Sequence, residues 1–383
     1  MTENNNSMHP DTVLAQGLGW EDDETGAVVP PVHLTTTYAR RADYSLPDGR
    51  SYARPDGKAV LQAEAMLSAL EGGVEALCFG SGLAACTAPF HALKAGDHAV
   101  VPSSMYHGLF SWLKTFPPAW GIDVDFVPPG DLAALEAALK PGKTKLVWIE
   151  TPSNPCWVVT DIAAAAALSH KAGALLAVDS TVATPILTRP LQLGADMVCH
   201  SATKYLNGHS DVLAGMLACR EQSEYWQRIV LHRSLAGPVL GALDAYLLTR
   251  GMKTLHLRVS RQCENAQAIA GFLSIHPLVS KVRYPGLDDD PGHAIASRQM
   301  TGGYGGMLSF HLAGGRQAAL DFCGRLKVIK RATSLGGTET LIEHRHSVEP
   351  PETGVADDML RVSVGIEAAD DLIADMTQAF ESL

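Results

Sequence analysis

Nowhere in this 383-residue chain is there an apolar run long enough to span a membrane, so an integral membrane role is not expected. Positive charge is also in short supply. Lys and Arg number 30 against 41 Asp and Glu, a net charge of −11, and a nucleic-acid backbone is not an expected partner. No two cysteines stand at C-x-x-C spacing. Cys78, Cys86, Cys156, Cys199, Cys219, Cys263 and Cys323 are scattered, mostly in apolar or strand-like surroundings. They read as reduced core thiols, with neither a disulfide nor a zinc framework. The first twelve residues are polar (Asn4 to Asn6, Asp11) and lack the basic-then-apolar order of a signal peptide, so the expected compartment is the cytoplasm. Internal repeats and low-complexity linkers are missing too.

The chain is too long for one compact core, and its composition (46% hydrophobic, 19% charged) is ordinary for a soluble globular protein. Residues 1–48 read as an extended arm, given Pro30-Pro31 and Thr35 to Thr37. Val28 to Tyr38 is apolar enough to pack on something, as such arms do on a second subunit. From 49 to 238 strands alternate with helices: Glu75–Phe79, His98–Val101, Asp123–Val127, Lys145–Ile149, Leu175–Val178 and Met197–Cys199. Alternation of this kind predicts a mostly parallel sheet. Residues 239–383 read as a second α/β domain, with helices over 242–251, 255–273 and 371–383. Val279–Tyr284 is a strand there, and Met307–Leu312 and Met359–Val364 alternate like half-buried strands.

The chemistry gathers at strand ends, where α/β sheets bind ligands. Ser201-Ala-Thr-Lys204 follows the run Met197–Cys199. A lysine there can form a Schiff base, and the hydroxyls beside it can hold a phosphate. Gly80-Ser81-Gly82 joins a strand to a helix, a setting in which free backbone N–H groups meet an anion. Neither a Walker lysine nor a G-x-G-x-x-G spacing accompanies it, so a nucleotide triphosphate or dinucleotide is not favoured. Asp179 ends a buried strand and needs a partner, which a protonated pyridine nitrogen would supply. Tyr52-Ala-Arg54 suits an extended segment with both side chains on one side, and the arginine is matched to a phosphate. A solvated loop arginine is the plainer reading of that pair.

Taken together these stretches resemble the pyridoxal-phosphate-dependent enzymes of Cys/Met metabolism, the group of cystathionine γ-synthase, the cystathionine lyases and methionine γ-lyase. The resemblance rests on Glu150-Thr-Pro-Ser-Asn-Pro155, Val178-Asp-Ser-Thr-Val-Ala-Thr-Pro185, Ser201-Ala-Thr-Lys-Tyr-Leu206, Ser334-Leu-Gly-Gly-Thr-Glu339 and Arg361-Val-Ser-Val-Gly-Ile-Glu367, and runs from about Tyr52 to the C-terminal helix. It implies an α/β chain of the aspartate-aminotransferase-like fold type I, with a mostly parallel seven-stranded sheet and a smaller C-terminal α/β domain. Pyridoxal 5′-phosphate is the implied cofactor. Lys204 would hold it covalently, Asp179 would pair with the ring nitrogen, and Tyr106 would stack on the ring and serve as acid or base. Gly82, Leu83, Ser201 and Thr203 would bind the phosphate, with Tyr52 and Arg54 reaching it from a neighbouring subunit. Asn154 would lie near the ring oxygen and Thr181 against the ring. Arg361 would clamp the substrate carboxylate and Ser334 would support Lys204. No metal is implied. The assembly would be a tetramer built from two site-sharing dimers.

The family reading carries an expected activity: γ-elimination on a sulfur-containing or related amino acid, giving a 2-oxo acid, ammonia and the leaving group. The alternatives are γ-replacement on an O-acyl-homoserine, and γ-elimination on an oxygen-linked analogue such as canavanine. A non-catalytic protein on the same fold is the rival of another class, and intact Lys204, Asp179, Tyr106 and Arg361 argue against it. Some positions depart from the family pattern. Ser51 stands where cystathionine-handling members have an acid. His107 replaces a usual glycine. His344-Arg345-His346 replaces a His-Pro-Ala pattern and reads as polar pocket rim or surface, not a metal site.

Overall fold

The computed structural model describes residues 8–349 and 353–383. The polar stretch Asn4 to Asn6 lies outside the described residues. Seven strands form the larger sheet: β1 (Glu75–Phe79), β2 (His98–Pro102), β3 (Asp123–Val127), β4 (Thr144–Glu150), β5 (Leu175–Asp179), β6 (Met197–His200) and β7 (Gly215–Cys219). Their spatial order is β1-β7-β6-β5-β4-β2-β3, parallel except for β7, which runs antiparallel to both neighbours. The central strands β2, β4, β5 and β6 are almost wholly buried, as sheets covered by helices on both faces must be.

Five strands form the smaller sheet, in the order β10-β11-β12-β9-β8: β8 (Val279–Arg283), β9 (Met307–Leu312), β10 (Lys330–Arg331), β11 (Leu341–His344) and β12 (Met359–Ser363). Only the short β10–β11 pair is parallel. Helices Leu255–Ser274, Gly315–Arg325 and Ala369–Glu381 pack against this sheet around Phe310, Phe322 and Leu372. The change from one sheet to the other supports, as our proposal, domains of 49–238 and 239–383.

Three expectations are corrected. The strands β9 and β12 are not half-buried, since every residue in them is buried. Their alternation is real, but the polar side faces the larger domain and not water: Trp157 Nε1 donates to Ser309 Oγ at 2.9 Å, and Arg361 Nη1 donates to Asn154 Oδ1 at 3.1 Å. The arm is not extended throughout. A helix α1 (Pro10–Gln16) forms after His9, whose ring nitrogen accepts from Asp11 N, and it buries Val13 and Leu14 in the main core. The apolar stretch that follows stays exposed on this chain, with Val28 and Leu34 about four-fifths accessible. Last, Tyr52 is extended but Arg54 is not. Arg54 sits in a one-turn helix α2 (Ala53–Asp56), its guanidinium 5.4 Å from the Tyr52 ring centroid. The cation–π contact and the turn starting at Ala53 win over a continued extended segment.

Candidate active site

A cavity of about 190 Å³ opens at the carboxyl ends of the parallel strands. Lys204 reaches it from a turn just beyond β6, in which Lys204 N donates to Ser201 O. Its Nζ donates to Ser334 Oγ at 3.0 Å. Burial, with the Arg361 charge adding to it and Glu343 opposing it, pulls the lysine down to about 8. Such an amine is neutral often enough to attack a carbonyl or accept a proton. Ser334 itself carries a φ of 112°, a left-handed conformation that serines avoid. It turns its Oγ toward Lys204 while its carbonyl accepts from Arg361 Nη2 at 3.0 Å, the kind of strained residue that gathers at functional sites.

On the cavity floor Asp179 ends β5. Thr181 fixes one oxygen of it, Oδ1, through its N (3.0 Å) and its Oγ1 (2.6 Å). Among the described residues the other oxygen meets only the Cys86 thiol, at 3.8 Å, so a cationic N–H has an open acceptor there. Burial raises this carboxyl above its ordinary range, as expected of a carboxylate awaiting a cation. Glu150 ends β4 directly beside it in the sheet register. It is buried, and its oxygens accept from Tyr106 N and Asn154 N, both at 2.7 Å. Burial and the neighbouring Asp179 charge raise it strongly. Glu150 therefore positions Tyr106 and Asn154, a role that sequence reasoning missed. The logic applied to Asp179, a carboxylate closing a buried strand, would have found it.

Helix α3 (Lys58–Glu71) precedes β1, and the turn after β1 leads into α4 (Gly82–His91), which Ser81 caps through Oγ to Ala84 N. Gly82 is required by packing. A Cβ there would lie 2.7 Å from Ser201 Cβ, and closer still to its Oγ. This contact brings the helix start, Leu83 and Ser201 together around one point, a cradle suited to an anion. Thr203 fits less simply, because its hydroxyl donates to Ala214 O and accepts from Ala214 N, both at 3.0 Å. Tyr106 begins helix α5 (His107–Ala119), and its ring folds over Gly108, where a Cβ would sit 2.7 Å from the ring. Burial raises the Tyr106 phenol above its usual value.

Lys204, Asp179, Thr181, Gly82, Leu83, Ser201, Thr203, Tyr106 and Asn154 all line this one cavity. Arg361, on β12, is tied to it through Asn154 and Ser334. Tyr52 and Arg54 do not join them. They stand exposed, Tyr52 just before α2 and Arg54 in it, and line a separate hollow with His33 to Thr36. One expectation about the second sheet is corrected. His344 and Arg345 are neither rim nor surface but buried at 6% and 3% exposure. His344 bonds Ser347 Oγ and Asp357 O, each at 2.6 Å, and Arg345 pairs with Glu343 and Glu349. Hydrogen bonds within the following loop hold them inside. Among the described residues no group of three potential metal ligands occurs. His107 sits beside the Tyr106 ring, and burial, then the Arg345 charge, lowers its proton affinity.

A partly neutral lysine, a floor carboxylate with one free oxygen and a glycine-lined phosphate cradle together fit a phosphorylated pyridine aldehyde. The molecule is an aspartate-aminotransferase-like α/β protein of fold type I. The family model for Cys/Met metabolism PLP-dependent enzyme matches residues 11–381, and the chain belongs to that family. It is 44% identical over 364 residues to the cystathionine gamma-synthase of Mycobacterium tuberculosis, covering 94% of this chain and 93% of that one. It is 40% identical to the L-methionine gamma-lyase of Pseudomonas deceptionensis, with 94% of each covered. The crystal structure of metB from Corynebacterium glutamicum superposes with a TM-score of 0.95 at 40% identity, covering 99% of this chain and 100% of that one. The protein is thus a pyridoxal-phosphate-dependent enzyme of sulfur amino-acid metabolism.

Proposed function

We propose that the enzyme catalyses γ-elimination on a sulfur-containing or related amino acid, releasing a 2-oxo acid, ammonia and the leaving group. The bound cofactor supplies an electron sink for the carbanion character that develops at the α-carbon. In this reading Lys204 holds the cofactor, then takes the α-proton and shuttles it, with Ser334 orienting Nζ. Asp179 keeps the ring nitrogen protonated. Tyr106 would stack on the ring, and its hydroxyl would exchange a proton with the substrate amine. Gly82, Leu83, Ser201 and Thr203 hold the phosphate, Thr203 by redirecting its hydroxyl. Asn154 would lie near the ring oxygen and Thr181 against the ring, and Arg361 would grip the carboxylate.

One observation carries elimination over replacement. Replacement must seat a second amino acid, and a free carboxylate would favour its ammonium. The two carboxylates lining the described cavity are committed, Glu150 to two backbone N–H groups and Asp179 to Thr181 and the ring nitrogen. Ser51 supplies none from beside Tyr52. The second reading is γ-replacement on an O-acyl-homoserine, favoured by the 44% identity to cystathionine gamma-synthase. An oxygen-linked γ-substituent would suit the polar His107 ring that stands beside Tyr106. Purified enzyme should be given cystathionine, methionine, homocysteine, canavanine, and an O-acyl-homoserine with and without cysteine. Keto acid and ammonia formed without any thiol are expected. A thioether formed only from ester plus cysteine overturns the elimination reading.

We further propose a tetramer of site-sharing dimers in the cytoplasm. Among the described residues Lys204 is the one lysine or arginine that lines the cavity, while Arg54 is exposed elsewhere. The apolar stretch at Val28 and Leu34 offers a face to a second copy, and all seven cysteines are free. Sedimentation that gives a monomer in the presence of cofactor would sink the shared site.

A further inference from the structure

The carboxylate-gripping Arg361 does not stand alone. Its Nη2 lies 2.8 Å from Glu343 Oε2, and the same oxygen lies 2.5 Å from Arg345 Nη1. Arg345 Nη2 pairs in turn with Glu349. Thr333 Oγ1 donates to the other Glu343 oxygen at 2.6 Å. The result is a row of alternating charge, Arg361, Glu343, Arg345, Glu349, with every side chain 6% exposed or less. Among the described residues the buried Nε–H groups on both arginines have no partner.

Such a row poses a problem for a carboxylate-binding arginine. A buried Glu343 beside Arg361 is a resident competitor for the anion that Arg361 must receive. Left to itself the pair would close on two parallel hydrogen bonds, the geometry guanidinium and carboxylate prefer. In the observed row the Glu343 oxygen that meets Arg361 is shared with Arg345, and the other oxygen accepts from Thr333. Arg345 and Thr333 pull the carboxylate away, and Glu349 sets how strongly Arg345 can pull.

We propose that Arg345 and Glu349 are positioning residues that fix how Arg361 is divided between Glu343 and the substrate's carboxylate, and so set the affinity for α-carboxylated amines. The proposal rests on the reading of Arg361 as the carboxylate clamp. Three consequences follow from charge alone. Arg345→Leu releases Glu343 onto Arg361, and carboxylate binding weakens. Glu349→Gln leaves Arg345 undivided for Glu343 and the row with an excess positive charge, so carboxylate binding tightens. Glu343→Gln added to Arg345→Leu removes the competitor, and binding recovers.

The test is equilibrium titration of the holoenzyme with L-2-aminobutyrate and with n-propylamine, which lacks the carboxylate, followed by the visible absorption of the cofactor. Neither ligand has a leaving group, so the outcome does not depend on elimination or replacement. Arg345→Leu should raise Kd for aminobutyrate by tenfold or more and leave that for propylamine unchanged. Glu349→Gln, the milder change, should lower the aminobutyrate Kd several-fold. The double variant should return to within about threefold of the native value. Equal weakening for both ligands would mean general damage to the cavity and would overturn the proposal. So would an unchanged or weakened Glu349→Gln, or a double variant that does not recover. Arg361→Leu separates the two layers. If it keeps the preference for aminobutyrate, the clamp reading fails. If it loses that preference while Arg345→Leu keeps it, the clamp stands and the row has no role.

Discussion

Replacing Gly82 with Ala adds one methyl group at the point where the start of α4 meets Ser201. The new carbon would stand 2.7 Å from Ser201 Cβ and 3.1 Å from its Cα, both well inside ordinary contact. Ser201 has little freedom to retreat. Its N donates to Thr181 Oγ1 at 2.8 Å and its O accepts from Lys204 N at 3.0 Å. Thr181 also orients Asp179. Relief must therefore come from parting α4 and the lysine turn, which is overpacking and costs about 1–3 kcal/mol. Without cofactor the two segments can part at little further loss. If the two segments hold one phosphate, as proposed, they must converge when cofactor binds, and the penalty falls mainly on the loaded form. Cofactor affinity should drop by roughly 5- to 150-fold at 1.4 kcal/mol per factor of ten. Titration of apoenzyme, read by visible absorption, measures this, with a thermal melt as control. Ser201→Ala in the same chain should recover part of the loss by removing the nearest atom. A Gly82→Ala protein that binds cofactor as tightly as the native one would refute the packing argument.

Lys204→Ala should leave the fold intact and lower turnover by about 10²–10⁴-fold or more, as loss of a proton-transferring group does; product formed at the native rate would end the enzyme reading. On the proposed role of Lys204, loading of apoenzyme with cofactor needs its neutral amine, which burial pulls from its ordinary value of 10.5 down to about 8. The loading rate should thus climb as pH rises toward 8 and level off above it; a rate still climbing steeply at pH 10 would show an ordinary lysine. Arg233→Leu should destabilise by about 3–5 kcal/mol, because Arg233 Nη1 lies 2.9 Å from the buried Glu64. Burial already raises Glu64 to about 7, above its unfolded value, so its proton favours the fold at low pH and that contribution fades as pH rises through 7. The variant's deficit in denaturant melts should accordingly be larger at pH 8 than at pH 6.

What could be read from the sequence were features that one backbone segment carries by itself. The Lys204 turn, Asp179 at the end of β5 and the glycine turn before α4 are each local, and each stands in the cavity. Period-two patterning identified β9 and β12 but not what covers them, since a polar face reads the same whether it meets water or another domain. The row from Arg361 to Glu349 was hidden for a related reason. Glu343 and Arg361 are register partners across β11 and β12, while Arg345 and Glu349 come from the loop beyond, and no spacing in the chain announces that a loop arginine turns inward. Arg54 was matched to a phosphate, but the turn of helix that holds it away from its own cavity was not foreseen.

The place of Arg54 outside the cavity of its own chain has a genetic counterpart. In a dimer that shares its sites, a chain without Lys204 damages the site it houses, and a chain without Arg54 damages the site of its neighbour. Two inactive alleles, one for each residue, would then complement each other. In the mixed dimer both injuries fall on the same site and the other is whole. A cell carrying both alleles would keep about a quarter of its sites, although neither allele alone gives any.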